Sequence, residues 1–373
     1  MKQPRILIVG GGIAGLATAR ALDRRGFRPQ IVERVAEWRE AGTGMYIPAN
    51  GFRVLKALGL DEAVVSRGRV ITHQRFLNRR GSLLMDIDLE DFWGACGPCL
   101  AIHRRDFHGQ LAAGISEVPI RFGTTVESIQ QMDGSASAIF SDGSSGDFDV
   151  IVGADGIRST MRRLALDGEQ PRHVGQVSWR FLVDGFPEID AWTVMLGKGR
   201  TFLTIPRGQG RVYCYCDIGS TLTHDPTGGD AGRLRELFSD FADPVPRILD
   251  CIDGGQHTHF SPIEEIVQQP SVKGRVVLIG DAAHGMSPNM AQGASLAVED
   301  AIVLAETMSE RSSPDEGLSS FVLRRTQRIS GVREATHRRD KTRALPPTFR
   351  DLVLRVAGKR IFSAHYRPLL EEP

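Results

Sequence analysis

The feature that most constrains the fold is a glycine-rich turn between two apolar segments near the N-terminus. The segment RILIV, at 5–9, predicts a strand, and residues 13–25 predict a helix. The turn between them reads GGGIAG, from Gly10 to Gly15, and the next predicted strand, PQIVE, ends in Glu33. Strand, glycine-rich turn, helix and strand in this order predict a Rossmann-like βαβ unit.

Each glycine of the turn has a physical reason to be there. Gly10 permits the tight turn, Gly12 lets the backbone approach a pyrophosphate, and Gly15 lets helix and strand pack closely. The helix N-terminus offers unpaired N–H groups to an anion. Glu33 would accept hydrogen bonds from a ribose, which argues against a 2′-phosphate and so against NADP here. FAD and NAD both remain open, as does a glycine-rich turn that binds no ligand.

Composition sets broad limits on the class of protein. The 373 residues, 41% apolar and 24% charged, suit one large domain or two smaller ones. A net charge of +1 gives no sign of a nucleic-acid partner. No apolar run reaches the roughly 18–20 residues that cross a bilayer, so we expect no membrane partner. Five cysteines, an odd number, favour a reducing cytoplasm over a disulfide framework.

Segments typical of nucleotide-binding domains occur near both ends of the chain, with β-rich segments between them. This interleaving predicts an α/β fold in which a Rossmann-like domain is interrupted by a β-sheet domain and followed by C-terminal helices. The predicted ranges are 1–70, 97–175 and 260–312 for the first domain, 71–96 and 176–259 for the second, and 313–373 for the helical segment. We also expect a hairpin that turns at Arg80 and Gly81, and a return to helical structure over 231–252.

Two further motifs follow predicted strands. GADGIRS (153–159) follows FDVIV, and GDAAH (280–284) follows RVVLI. With GGGIAG, they resemble the signature of the class A flavin-dependent aromatic hydroxylases, the p-hydroxybenzoate-hydroxylase-like FAD monooxygenases. AIHRRDFHGQL (101–111) and GTGMYIPANG (42–51) resemble further segments of these enzymes. The resemblance spans about residues 5–340 and is greatest to the short members acting on salicylate, hydroxynicotinate or urate-like rings.

The resemblance implies an FAD site whose residues are spread along the chain. They are Gly10, Gly12, Gly15, Glu33 and Arg34 for the ADP half, Val126 for the adenine, Gly44 beside the flavin, Arg104 (with Arg105 as second choice), Asp155 as a brace, Asp281 at the ribityl or pyrophosphate region, and Gly293 and Ala294. The last two begin a helix, so their N–H groups would stabilise negative charge at the flavin O2. Pro288 would lie over the flavin near the place where oxygen reacts.

The implied reaction has two halves. NAD(P)H reduces FAD, O2 then adds to the reduced flavin, and the C4a-hydroperoxide transfers one oxygen to an electron-rich aromatic or heteroaromatic ring. The protein supplies orientation and electrostatics. The implied partners are a small aromatic substrate, O2 and NAD(P)H, and the chain would be a monomer or homodimer. No metal is expected, because His284 has no second ligand at suitable spacing.

The substrate side is predicted from the middle strands. TFLTI and RVYCYC alternate, so Tyr213 and Tyr215 share one face of the sheet. Arg200 opens the preceding strand and is predicted to pair with an anionic group of the substrate. We predict Arg200, Tyr213, Tyr46 and Pro288 as the catalytic set and assign no catalytic base. The alternative is that Arg200 is a solvated strand end and the tyrosines belong to the core.

Three features have competing interpretations. The pair Cys96 and Cys99 in CGPC is interpreted as coincidence, because no thioredoxin-like βαβ unit precedes it. The arginine-rich segment 324–343 is interpreted as a solvated helix face, with a partner surface or NADPH contact as alternatives. A flavin-dependent halogenase or epoxidase, or a non-catalytic binding protein on the same fold, are the alternative functions. The chain lacks the halogenase Trp-x-Trp-x-Ile-Pro segment, and its intact FAD-contact residues argue against the binding protein.

Overall fold

The computed structural model describes residues 3–38, 43–252 and 258–373. The strands are β1 (Ile6–Val9), β2 (Pro29–Glu33), β3 (Gly44–Ile47), β4 (Arg69–Ile71), β5 (His73–Asn78), β6 (Leu83–Asp88), β7 (Cys99–His103), β8 (Ile120–Phe122), β9 (Val126–Met132), β10 (Ser135–Phe140), β11 (Ser145–Phe148), β12 (Val150–Gly153), β13 (Arg172–Val183), β14 (Trp192–Leu196), β15 (Arg200–Gly208), β16 (Arg211–Gly219), β17 (His259–Glu265), β18 (Val272–Lys273) and β19 (Val276–Leu278). The helices are α1 (Ile13–Asp23), α2 (Ala49–Ala57), α3 (Asp61–Val65), α4 (Leu89–Trp93), α5 (Arg104–Ala113), α6 (Thr160–Leu166), α7 (Ala231–Leu237), α8 (Val245–Asp250), α9 (Asp281–His284), α10 (Gly293–Glu310), α11 (Pro314–Ala344) and α12 (Pro347–Tyr366).

A mainly parallel sheet carries the N-terminal motif. Its strand order is β18-β19-β12-β1-β2-β8, and β1 pairs in parallel with both β12 and β2. Strands β1 and β12 are buried along their whole length, as expected for a parallel sheet covered on both faces. The predicted βαβ unit is therefore confirmed. Helix α10, which follows the GDAAH motif, packs against α1, so the helices that follow the first and third motifs are neighbours.

A second, mainly antiparallel sheet has the order β17-β13-β16-β15-β14-β5-β6. The hairpin β5–β6 turns at Arg80 and Gly81, as predicted, and β5 pairs in parallel with β14. Two distant segments of the chain thus form one sheet, and segments of the parallel sheet lie before, between and after them. The interleaved architecture and the C-terminal helices are confirmed.

The two faces of the second sheet have different neighbours. One face carries Phe202, Cys214 and Cys216, which are buried against helices α7 and α8. Both helices lie within 231–252, where the sequence predicts helical structure. The two helices are separate because Pro244, which lacks a backbone N–H, immediately precedes α8 and cannot continue a helix from α7. The opposite face of the sheet lines the cavity described below.

A buried charge network joins α10 to α11. Glu299 and Asp300 of α10 are both 0% exposed. Arg325 of α11 donates from Nε to Asp300 Oδ1 at 2.8 Å and from Nη1 to Glu299 Oε2 at 3.0 Å. Arg328 also donates to Glu299, at 2.8 Å. The interpretation of segment 324–343 as a solvated face is therefore wrong for these arginines, because each faces a buried carboxylate.

Asp300 also fixes the motif that precedes α10. Its Oδ2 atom accepts from the backbone N–H of Gly280 at 2.9 Å and lies 2.6 Å from His284 Nε2. Burial raises the pKa of Asp300, but His284 and Arg325 outweigh burial and lower it to about 2. The carboxylate therefore stays ionised at neutral pH and holds both the motif and α11. Among the helices of the described ranges, none is long and apolar enough to cross a membrane.

Replacing Arg325 with Met tests this network. The change leaves two buried carboxylates without their main cation, so we expect the free energy of unfolding to fall by about 3–5 kcal/mol. Urea unfolding of the FAD-free protein measures the difference. The neighbouring Arg324→Met is the matched control, because Arg324 is exposed and pairs with Glu306 at the surface. We expect that variant to lose less than about 1 kcal/mol. Equal losses for the two variants would contradict the role of the network.

Candidate active site

A cavity of about 1160 Å³ is lined by all three motifs and by the second sheet. One wall consists of Gly12, Gly156 and Asp281, one residue from each motif, together with Gly293 and Ala294 at the start of α10. The opposite wall consists of side chains from β13–β17 and from the C-terminal helices. Among its members are Arg180, Trp192, Tyr213, Tyr215, Asp217, Arg339 and Arg343. The motifs and the predicted tyrosines therefore meet in one space.

The glycines of the first motif differ in what surrounds them. Gly10 has a φ of +107°, and a Cβ there would run into the backbone of Ala154. A Cβ on Gly15 would overlap the carbonyl oxygen of Gly10. At Gly12, by contrast, a Cβ would meet no heavy atom of the described residues within 4 Å. Gly10 and Gly15 thus serve the turn itself, whereas Gly12 leaves open space before the N-terminus of α1.

Glu33 lies at the end of β2, beside this turn. Its Oε2 accepts from the N–H of Gly11 at 2.6 Å, and its Oε1 accepts from the N–H of Val35 at 3.0 Å. Arg34, the next residue, is exposed. Val126 begins β9 and is buried in the core on the side of β1 and β2, outside the cavity lining. The roles of Glu33, Arg34 and Val126 toward an ADP group stay predictions.

Two aromatic residues near the turn were not predicted. The ring of Trp38 packs against Gly11 and makes an edge contact with His108, with ring centroids 4.8 Å apart. His108 Nε2 lies 2.8 Å from the carbonyl oxygen of Gly11. The motif pattern gives no signal for them, because they lie beyond the second strand and on α5.

The second and third motifs hold the cavity wall in place. Asp155 accepts from Ser159 Oγ at 2.5 Å and from the N–H of Met161 at 3.0 Å, which fixes the start of α6. Asp281 is exposed on the cavity wall, and a Cβ on Gly293 would lie 3.8 Å from its Oδ1. Gly293 begins the 18-residue helix α10, whose first N–H groups have no partners within the helix.

These features fit the FAD implied by the sequence. The open space at Gly12, the N-termini of α1 and α10 and the carboxylate of Asp281 lie along one wall of the same cavity. Helix N-termini suit a pyrophosphate and a negatively charged ring, and a carboxylate suits hydroxyl groups. Arg104 lines the same cavity at the start of α5, and its backbone N–H donates to the carbonyl of Thr43 at 3.0 Å.

The predicted tyrosines are buried at the cavity. Tyr46 packs against Trp192, with ring centroids 4.3 Å apart. A Cβ on Gly44 would lie 2.5 Å from the ring of Tyr213, so only glycine lets that ring pack against the backbone of β3. Burial raises the pKa of Tyr46 well above its usual value, and Cys99 adds to the effect. Burial also raises the pKa of Tyr213, so both phenols stay protonated at neutral pH.

Arg200 does not lie at the cavity. Its guanidinium donates to the carbonyl of Leu237 and, at 3.1 Å, to Asp240 Oδ2, and it stacks on Phe241 at 5.7 Å. On β15, Thr201 lines the cavity, and adjacent strand residues face opposite sides of a sheet, so Arg200 points to the α7 side. The prediction that Arg200 pairs with the substrate is therefore corrected.

Other charged residues line the cavity at the second sheet. Arg180 of β13 donates to Ser261 Oγ at 2.6 Å and lies 5.3 Å over the ring of Tyr215. Asp217 of β16 forms an ion pair with Arg343 of α11. Alternation along β16 places Asp217 on the face of the two tyrosines, a signal that the sequence contains. Arg343 had no such signal, because its partner is distant in the sequence.

The CGPC pair does not have the properties of a redox site. Cys96 and Cys99 are both free and buried. Burial raises the pKa of the Cys99 thiol to about 12, so it is not a thiolate at neutral pH. In the described part of the chain, no group of three or more His, Cys, Asp or Glu side chains is placed to hold a metal ion.

Substitution of Gly12 by Ala tests FAD binding without a change in the stability of the fold. Gly12 has a φ of −76°, so alanine is unstrained there and its methyl group enters open space. We expect an unchanged thermal midpoint for the FAD-free protein and at least a tenfold, or about 1.4 kcal/mol, loss of FAD affinity, because the methyl group takes the place of the pyrophosphate. Fluorescence titration with FAD measures the affinity.

Gly15→Ala is the contrasting variant. Its methyl group overlaps the Gly10 carbonyl oxygen, so we expect it to lower the thermal midpoint as well as FAD binding. Wild-type FAD affinity in Gly12→Ala would contradict the placement of the cofactor.

Comparison with known proteins places the chain in a family. A profile of the FAD binding domain family matches residues 3–336. The chain is 31% identical over 341 residues to the aurachin C monooxygenase/isomerase of Stigmatella aurantiaca, covering 89% of this chain and 88% of that protein. It is 34% identical over 340 residues to the 2-heptyl-3-hydroxy-4(1H)-quinolone synthase of Pseudomonas aeruginosa UCBPP-PA14, covering 88% and 87%.

A solved structure has the same fold. HpxO of Klebsiella pneumoniae, in complex with FAD and uric acid, superposes with a TM-score of 0.82 at 25% identity, covering 99% of this chain and 93% of that one. Further relatives are named as hydroxylases or monooxygenases of aromatic and heteroaromatic rings. The chain belongs to the FAD binding domain family and is an FAD-dependent monooxygenase of the aromatic hydroxylase type.

Proposed function

We propose that this protein uses NAD(P)H and O2 to hydroxylate an electron-rich aromatic or heteroaromatic ring held between the three motifs and the second sheet. The observation that carries the proposal is the single cavity that joins the FAD-type wall to a wall of buried aromatic and polar side chains. When bound, FAD supplies the electron transfer and the activation of oxygen. The chain's own residues bind and orient the substrate and exclude water from it.

The wall that carries the three motifs is the proposed cofactor wall. We assign its residues to FAD on the geometry of the cavity and on the resemblance. Gly12 and the N-terminus of α1 suit the pyrophosphate, Glu33 the ribose, and the first turn of α10 the flavin ring. The full proposed set is Gly10, Gly12, Gly15, Glu33, Arg34, Gly44, Arg104, Val126, Asp155, Asp281, Gly293 and Ala294. Pro288, which lines the cavity between Asp281 and α10, would lie at the border of cofactor and substrate.

The substrate wall orients the ring by packing and by hydrogen bonds from neutral phenols. Tyr46 and Trp192 provide two packed aromatic rings, tilted by 50° to each other, and Tyr213 is held against Gly44. Because burial raises the pKa of both tyrosines, they act as hydrogen-bond donors at neutral pH and not as bases.

The organisation of the protein around this site is also proposed. We assign 1–70, 97–175 and 260–312 to the cofactor domain, 71–96 and 176–259 to the substrate domain, and 313–373 to the C-terminal helical segment. The free thiols support a cytoplasmic location, because a reducing compartment keeps such side chains reduced. We propose a monomer or homodimer.

The absorbance spectrum of the purified protein is the first test. We expect a flavin spectrum, with FAD released on denaturation, and NAD(P)H consumption that rises when phenolic or heteroaromatic rings are added. Mass spectrometry with 18O2 should then show one labelled oxygen atom in the product, and an anaerobic reaction is the control. A protein without flavin, even after incubation with FAD, would support the non-catalytic binding protein. Halogenated or epoxidised products would support the other alternative.

A further inference from the structure

The C-terminal helix α12 exposes large apolar side chains along one face. Phe349, Leu352 and Val356 are 55%, 57% and 78% exposed. Their spacing of three and four residues places them in one row on neighbouring turns of the helix. Single exposed apolar residues are common on protein surfaces, but a contiguous apolar row is typical of a surface that contacts a partner or a lipid layer.

The inner face of α12 is apolar as well, and it already has its packing partners. Leu354, Ile361 and Phe362 line the cavity, and the helix packs against β6 at the edge of the second sheet. The outer row is therefore not needed to hold the helix on the protein. Because only α12 separates the two, the row lies about one helix diameter, roughly 10 Å, from the cavity.

Basic side chains border the apolar row. Arg355, Lys359 and Arg360 are exposed, and none of them forms an ion pair with a carboxylate of the described residues. At 3.6 residues per turn, all three project from the half of the helix that carries the row. The one acidic residue of α12 is Asp351, which accepts from the buried Arg350. The outer face of α12 thus combines exposed apolar side chains with unpaired positive charge.

We propose that the outer face of α12 binds the surface of a membrane that contains anionic phospholipids. An apolar row flanked by arginine and lysine is the pattern of helices that lie at the boundary between acyl chains and headgroups. The apolar side chains would enter this boundary, and the three cations would meet the lipid phosphates. The helix would lie on the membrane without crossing it. The expectation of no membrane partner rested on bilayer-spanning segments alone, which this surface does not require.

A second copy of the chain is the main alternative occupant of this surface. A twofold dimer through this face would bring the same residues of both copies together. The unpaired cations of the two copies would then repel each other, and α12 has no unpaired acidic residue to offset the repulsion. Charge complementarity therefore favours an anionic lipid surface over self-association.

Co-sedimentation of the FAD-loaded protein with lipid vesicles tests the proposal. One set of vesicles contains phosphatidylcholine alone, and the other contains equal parts of phosphatidylcholine and phosphatidylglycerol. We expect the protein to bind the mixed vesicles at least about tenfold more strongly, because each cation near an anionic surface adds attraction. High salt should weaken this binding, because it screens the charges.

Two double variants assign the binding to α12. Leu352→Gln with Val356→Gln removes most of the apolar row, and Lys359→Gln with Arg360→Gln removes two of the three cations. We expect each double variant to bind the mixed vesicles about tenfold more weakly or less well still. The side chains are exposed, so FAD content and the thermal midpoint should stay at the wild-type values.

Matched controls make the same changes elsewhere on the surface. Met132→Gln with Ile139→Gln replaces two exposed apolar residues of the sheet β11-β10-β9. Arg28→Gln with Lys273→Gln removes two exposed cations of the parallel sheet and its flanks. We expect both controls to bind the mixed vesicles as the wild type does.

A fluorescent label locates the contact without relying on a loss of binding. An environment-sensitive dye is attached to Val356→Cys in a Cys251→Ser background, because Cys251 is the one native cysteine that is exposed. Its emission should shift to shorter wavelength when mixed vesicles are added. The same dye on Ile139→Cys should show no shift.

Several outcomes would overturn the proposal. They are no binding to the mixed vesicles, equal binding to both kinds of vesicle, or an unchanged emission from the dye at position 356. Sedimentation equilibrium gives a further one, a dimer that Leu352→Gln with Val356→Gln dissociates in a protein that does not bind vesicles. Failure of the proposed function would appear instead as a protein without FAD or without NAD(P)H consumption, and neither quantity decides the vesicle measurements.

Discussion

The carboxylate of Asp300 is the interaction on which the cofactor side of the structure depends. It binds the backbone of Gly280, the ring of His284 and the guanidinium of Arg325 at once. Gly280 has a φ of +56°, a conformation that glycine adopts without strain, and it directly precedes Asp281 at the cavity wall. The position of Asp281 is thus set by a residue on α10 and by a cation on α11, and the GDAAH motif alone does not determine it.

Helix α11 also fixes the position of residues on the substrate side of the cavity. Arg325, in the first half of this helix, binds the carboxylates of α10, and Arg343, near the end of the helix, binds Asp217 of β16. A planar guanidinium can satisfy two acceptors in fixed directions, which an ammonium group does less well. One helix therefore fixes both walls of the cavity relative to each other. This explains why arginines in a segment of basic composition are buried, at a desolvation cost that their carboxylate partners offset.

The sequence predicts much of this fold because several of its signals are local. The β1-α1-β2 unit, the hairpin at Gly81 and the shared face of Tyr213 and Tyr215 follow from turn chemistry and from strand alternation. The three motifs could be placed together because each follows a buried strand, and the carboxyl ends of parallel strands lie at one edge of the sheet. Resemblance to a known family added the cofactor to that geometry.

The predictions that failed depend on contacts between distant residues. Alternation gives two faces for β15 but does not say which face meets the cavity, and Arg200 lies on the one covered by α7. The partial burial of Arg343 depends on Asp217, more than a hundred residues earlier in the chain. Composition alone therefore suggested that this side chain is exposed to solvent. The same distance matters for function. Asp217, Asn289 and Arg343 come from a strand, a turn and a helix, and only folding brings these three side chains together at the cavity.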